Sequence, residues 1–160
     1  MAACLALALA ACATTGDAAA AHPEARAYSA TADATADVDA ALARAAASGK
    51  RVLLVLGANW CHDSRALAGW LETPRFAALT AQAYDVVFVD VGTPQTGDGR
   101  NLDIARRFGL ADMPGTPVLL VLTPEGRAVN LDTAASWRNA ASRSEDAIFA
   151  ELVALAGESG

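Results

Sequence analysis

Three short runs of large apolar side chains, at residues 51–56, 85–91 and 118–122, restrict this chain to a narrow set of folds. They read Arg-Val-Leu-Leu-Val-Leu, Asp-Val-Val-Phe-Val-Asp-Val and Val-Leu-Leu-Val-Leu. None alternates apolar with polar, so each predicts a strand buried on both faces, which only a sheet covered above and below can supply. Helical patterns fill the gaps. One spans 37–48 and stops at Gly49; a second spans 61–71 with Leu67, Trp70 and Leu71 inward. Pro74 opens a third through Phe76 and Leu79, and a fourth spans 101–108 and stops at Gly109. A last helix starts at Ser144 and carries Ile148, Phe149, Leu152, Val153 and Leu155 as its apolar stripe. The turn Pro124-Glu125-Gly126 predicts a hairpin into a fourth strand, 127–131. Long crossovers make the first two strands parallel, and the tight turn makes the last two antiparallel. The expected fold class is α/β: three layers, with a mixed central sheet of about four strands flanked by helices.

At 160 residues, one compact domain is the economical reading. Alanine accounts for 41 of them, 23 within the first fifty, so the apolar fraction of 54% overstates the material available for a core. Twelve basic residues face 18 acidic ones, net −6, and Lys50 is the one lysine. Without a basic stripe, a nucleic-acid partner is excluded on electrostatic grounds. No apolar run reaches the ~18 residues of a spanning helix, so contact with a membrane would need a lipid anchor.

Such an anchor is what the first residues predict. Residues 1–11 form a short apolar segment, and Leu9-Ala10-Ala11-Cys12 resembles the lipobox of bacterial lipoproteins, cleaved before the cysteine and lipidated on it. The resemblance implies lipidation at Cys12 and a place on the periplasmic side of a Gram-negative envelope; Ala13 after the cysteine points to the outer membrane. No charged residue precedes Cys12, a departure from the usual positive start. Residues 12–36 then read as a lipidated cysteine and an Ala/Thr-rich flexible tether with a single aromatic, Tyr28. The domain itself is expected over 37–160. His22 falls in the tether with no partner ligand near it and reads as solvated, so no metal site and no cofactor are expected.

The chemistry gathers at Trp60-Cys61-His62-Asp63-Ser64, directly after the first strand, and at Gly115-Thr116-Pro117, directly before the third. A cysteine opening a helix meets unpaired N–H groups and positive potential, which favour the reactive thiolate. His62 and Arg65 would add positive charge, and Asp63 would oppose them. Cys61, His62 and Asp63 are adjacent in sequence, so they cannot form a catalytic relay, whose base must face the sulfur across the fold. Gly97-x-Gly99 lacks the third glycine of a dinucleotide loop and reads as a surface loop. Trp137 reads as packing over the sheet edge.

With that element order, these two motifs resemble the thioredoxin-like superfamily over about residues 37–156. The resemblance implies that Cys61 is the nucleophile and that Pro117 is the cis-proline facing it. It further implies that Trp60, Thr116 and Pro117 meet the substrate, with the Thr116 backbone pairing with an extended segment. Two departures stand out. The second cysteine of the motif is Ser64, giving Cys-x-x-Ser, and the buried acid six residues before the nucleophile is Val55. A lone thiol cannot close an internal disulfide, but it can form and exchange mixed disulfides. The expected function is thiol–disulfide exchange through Cys61, assisted by Ser64 and His62, with envelope protein thiols and disulfides or a small thiol as partners. The other reading is a non-catalytic module that binds an envelope protein in the same groove.

Overall fold

The computed structural model describes residues 22–157. Strand β1 (Arg51–Gly57) lies at the centre of a three-stranded sheet, between β2 (Tyr84–Asp90) and β5 (Val118–Leu122). A small ribbon, β3 (Gly92–Thr93) with β4 (Asp98–Gly99), lies apart from it. β1 runs parallel to β2, with Arg51 opposite Tyr84 and Gly57 opposite Asp90. It runs antiparallel to β5, with Leu54 opposite Leu120. The parallel crossover is made by α2 (His62–Glu72) and α3 (Pro74–Ala83). Around these lie α1 (Ala34–Ser48), α4 (Leu102–Arg107) and α5 (Glu145–Gly157).

The period of two divides β1 between two cores. Val52, Leu54 and Leu56 face α1 and α4, meeting Val38, Ala41, Ala45, Ile104 and Phe108. Leu53 and Val55 face α2, α3 and α5, meeting Leu67, Leu71, Phe76, Ile148 and Leu152. All five β1 side chains are fully buried, worth about 1.5–3 kcal/mol each. These are the three layers and the mixed sheet expected from the alternation.

Helix α1 begins three residues before the predicted start, because Asp33 accepts a bond from the Ala36 N–H at 3.0 Å and caps it. It ends at Gly49, whose φ of +76° suits glycine. Its buried face is Ala34, Val38, Ala41 and Ala45, so the alanine-rich sequence lets this helix lie close on the sheet.

Two expectations are corrected. Residues 127–131 do not form a fourth strand: one bridge, Leu122 to Ala128, follows the turn, and the ladder stops there. The side chain of Asn130 takes the place of strand backbone. Its Oδ1 accepts from the Val121 N–H at 2.8 Å, and its Nδ2 donates to the Leu119 carbonyl at 3.0 Å. The second correction concerns the tether, of which residues 22–28 are packed on the domain. Tyr28 is 3% exposed, against Leu67 and Phe88, with burial holding its phenol above the ordinary range.

After the bridge, a 3₁₀ helix (Ala134–Ser142), which the sequence pattern did not predict, buries Trp137 completely. The Arg143 guanidinium lies 4.4 Å from the centre of its ring.

Candidate active site

Cys61 sits at the N-cap of α2, where the chain leaves β1 through residues 58–60. Its N–H donates to the Ala58 carbonyl and its own carbonyl accepts from the Arg65 N–H, so the turn is closed on both sides of the sulfur. The side chain is buried and is the free cysteine among the described residues. Its thiol donates to the carbonyl of Thr116 at 3.3 Å, and the Thr116–Pro117 bond is cis. Antiparallel pairing of β1 with β5 brings these two sequence motifs together, since the C-terminal end of β1 meets the N-terminal end of β5. Cys4 and Cys12 lie outside the described residues.

Ser64 is brought near, but its hydroxyl is turned away from the sulfur it was expected to assist. It is fully buried, and its hydroxyl has no hydrogen-bond partner among the described residues. The hydroxyl lies over Gly57 and the Tyr28 ring, where a Cβ on Gly57 would come within 2.7 Å of it. The bond from Ser64 to the sulfur is therefore absent in this geometry. The Thr116 hydroxyl is likewise buried without a partner. Trp60 is exposed, yet its ring N–H is fixed on the Gly92 carbonyl at 2.9 Å. It forms one wall of a shallow hollow with Asn59, Gly92 and Thr93. Asp63 faces away from the thiol's partners and accepts from the Ala141 N–H, which ties α2 to the 3₁₀ helix.

The positive groups predicted to stand at the thiol are engaged elsewhere. Arg65 donates to Glu24 Oε2 at 2.9 Å and to the carbonyls of Asn59 and Trp60. His62 faces solvent and places Nδ1 2.8 Å from Glu24 Oε1. Glu24 is the residue that sequence reasoning missed. The Arg65 guanidinium, with His62 beside it, holds its carboxyl below the usual range. The reading of His22 as solvated with no ligand near is also corrected: its Nε2 lies 3.0 Å from Nε2 of His62.

A mixed sheet between two helical layers, with a helix-capping cysteine facing a cis-proline, defines a thioredoxin-fold domain. The chain belongs to the thioredoxin-like family, whose model matches residues 33–124. The chain is similar to the crystal structure of a disulphide isomerase from Xylella fastidiosa Temecula1, with 32% identity and a TM-score of 0.74. That similarity covers 82% of this chain and 97% of the other. No curated protein sequence matches it.

Proposed function

We propose that this protein carries out thiol–disulfide exchange through the single nucleophile Cys61. The observation that carries the reading is the meeting of the Cys61 thiol with the Thr116 carbonyl beside Pro117 at the start of α2. The likeness to a structure described as a disulphide isomerase supports it. The Cys61 thiolate attacks one sulfur of a substrate disulfide, forming a new S–S bond as the old one breaks. The departing sulfur leaves as a thiolate and takes a proton from water. Loss of the Cys61 proton removes the donor to Thr116, which frees that carbonyl for an N–H of the substrate. With serine at position 64, the mixed disulfide awaits a second thiol, and one from the same substrate gives isomerisation. Two small thiols in turn give reduction: the first releases the reduced substrate, and the second frees Cys61 as the pair leaves as a disulfide.

The place proposed for this activity is the periplasmic side of a Gram-negative envelope, with the chain held at the outer membrane by lipid on Cys12. The lipobox-like Leu9-Ala10-Ala11-Cys12 supports it. Among the described residues no helix is long and apolar enough to cross a membrane. A diacylglycerol mass on Cys12 in a Gram-negative host is the expected result; a mature product starting elsewhere would remove the anchor.

Trapping tests the exchange reaction. Cells quenched in acid should yield disulfide-linked adducts of this protein that vanish under reductant and are absent from Cys61→Ala. A wild type that traps nothing, with a thiol unreactive towards iodoacetamide at neutral pH, would favour the binding module over exchange.

A further inference from the structure

The chain has two histidines, His22 and His62, and the fold brings their Nε2 atoms to 3.0 Å although 40 residues separate them. Each ring is oriented by an oxygen on its other nitrogen. Nδ1 of His62 faces Glu24 Oε1 at 2.8 Å, and Nδ1 of His22 lies 3.4 Å from the Pro23 carbonyl. The Glu24 carboxylate at Nδ1 of His62 favours the proton there and leaves the lone pair of that ring on Nε2. One proton is shared across the 3.0 Å Nε2–Nε2 contact, and a cation that replaces it would take a lone pair from each ring. Two imidazole nitrogens at about 2.0–2.1 Å from one tetrahedral zinc are about 3.3 Å apart, so a few tenths of an ångström of ring movement suffices. Glu24 fits the carboxylate that orients a metal-bound histidine from behind. Its second oxygen holds Arg65, which keeps the carboxylate in place.

We propose that His22 and His62 form a binding site for a borderline divalent transition-metal ion such as Zn²⁺, with Glu24 as the positioning residue for His62. Imidazole donors select this class over Mg²⁺ or Ca²⁺, which prefer oxygen. The pair supplies two ligands on the solvent side of α2, and water or an external donor fills the remaining positions. The ion would fasten the segment starting at His22 to the first turn of the helix that Cys61 caps. Cys61 is not part of the donor set, since its sulfur is directed at Thr116.

The experiment is a Zn²⁺ titration of the full chain carrying Cys4→Ser and Cys12→Ser, followed by calorimetry and by histidine ring ¹⁵N resonances. With two histidines the spectrum is unambiguous. Both Nε2 resonances should move together and saturate at one equivalent of Zn²⁺. His22→Ala and His62→Ala should each weaken binding more than tenfold, and Glu24→Gln about tenfold, in line with the ~10–100-fold cost of losing an orienting carboxylate. Adding Cys61→Ser should leave the affinity unchanged, which separates this site from the exchange reaction. Resonances that move with pH but not with Zn²⁺ would show a shared proton only and overturn the proposal. Binding that survives His22→Ala, or is lost with Cys61→Ser, would overturn it equally.

Discussion

The sulfur of Cys61 lies 3.3 Å from the carbonyl oxygen of Thr116, a residue 55 positions away in the chain. One proton serves both the proposed nucleophile and the backbone carbonyl proposed to receive substrate. Ionising the thiol should therefore shift the Thr116 carbonyl ¹³C resonance. Its pH midpoint should coincide with that of Cys61 alkylation. Two separate midpoints would show that the contact is not maintained in solution.

Ser64→Cys should convert the protein to a dithiol. Position 64 lies one helical turn from Cys61, and the serine hydroxyl there forms no bond that the change would break. The variant should close an internal disulfide, seen as the loss of two titratable thiols on oxidation, and adducts should fall as turnover rises. Two persistently free thiols in oxidised protein would contradict this geometry.

Asn130→Ala should destabilise the domain by about 2–4 kcal/mol, because it strands the Val121 N–H and the Leu119 carbonyl on a buried strand. Denaturant unfolding measures this directly. Asn130→Asp keeps an acceptor for Val121 but loses the donor to Leu119, and should also be destabilised.

The docked segment before α1 should contribute to the fold. Tyr28→Ala should cost about 3 kcal/mol, as for other buried aromatics, and Tyr28→Phe about 1 for the bond to the Ser64 carbonyl. Gly69→Ala should displace the same segment, because a Cβ there would overlap the Pro23 backbone. Thermal melts of all three, with Trp fluorescence as the probe, test whether the segment and domain unfold together.

Acid should loosen this segment first. The Glu24 carboxyl is held below its ordinary value of 4.5 chiefly by the Arg65 hydrogen bond. A lowered folded-state value means that its contribution is present above 4.5 and is lost as the pH falls through the folded-state value. Protection of the Ala25 amide, which donates to the Arg65 carbonyl, should fall in that acid range while β1 amides stay protected. Glu24→Gln should remove the pH dependence.

The three apolar runs, by themselves, determined the sheet: unbroken Val/Leu stretches such as 52–56 have one stable location, between two covering layers. The long crossover set the parallel pairing of the first two runs, and the placing of Cys61 after the first run put it at a helix start, whereas the antiparallel pairing of the first run with the third was decided by the tertiary structure. The three strands were legible from those runs, and the Cys61–Pro117 pair through the resemblance that its two motifs carry. Asn130 was not, because the pattern 127–131 is apolar enough for a strand and nothing local reveals that a side-chain amide will take over the ladder. The N-terminal docking was hidden because Ala, Thr and Asp carry no period, and a single Tyr28 gains its energy only when Leu67 and Asn59 are already in place. His22, Glu24 and His62 are likewise unremarkable as isolated letters. Only the tertiary structure, by laying residues 22–25 along α2, decided that two distant imidazoles meet beside Cys61.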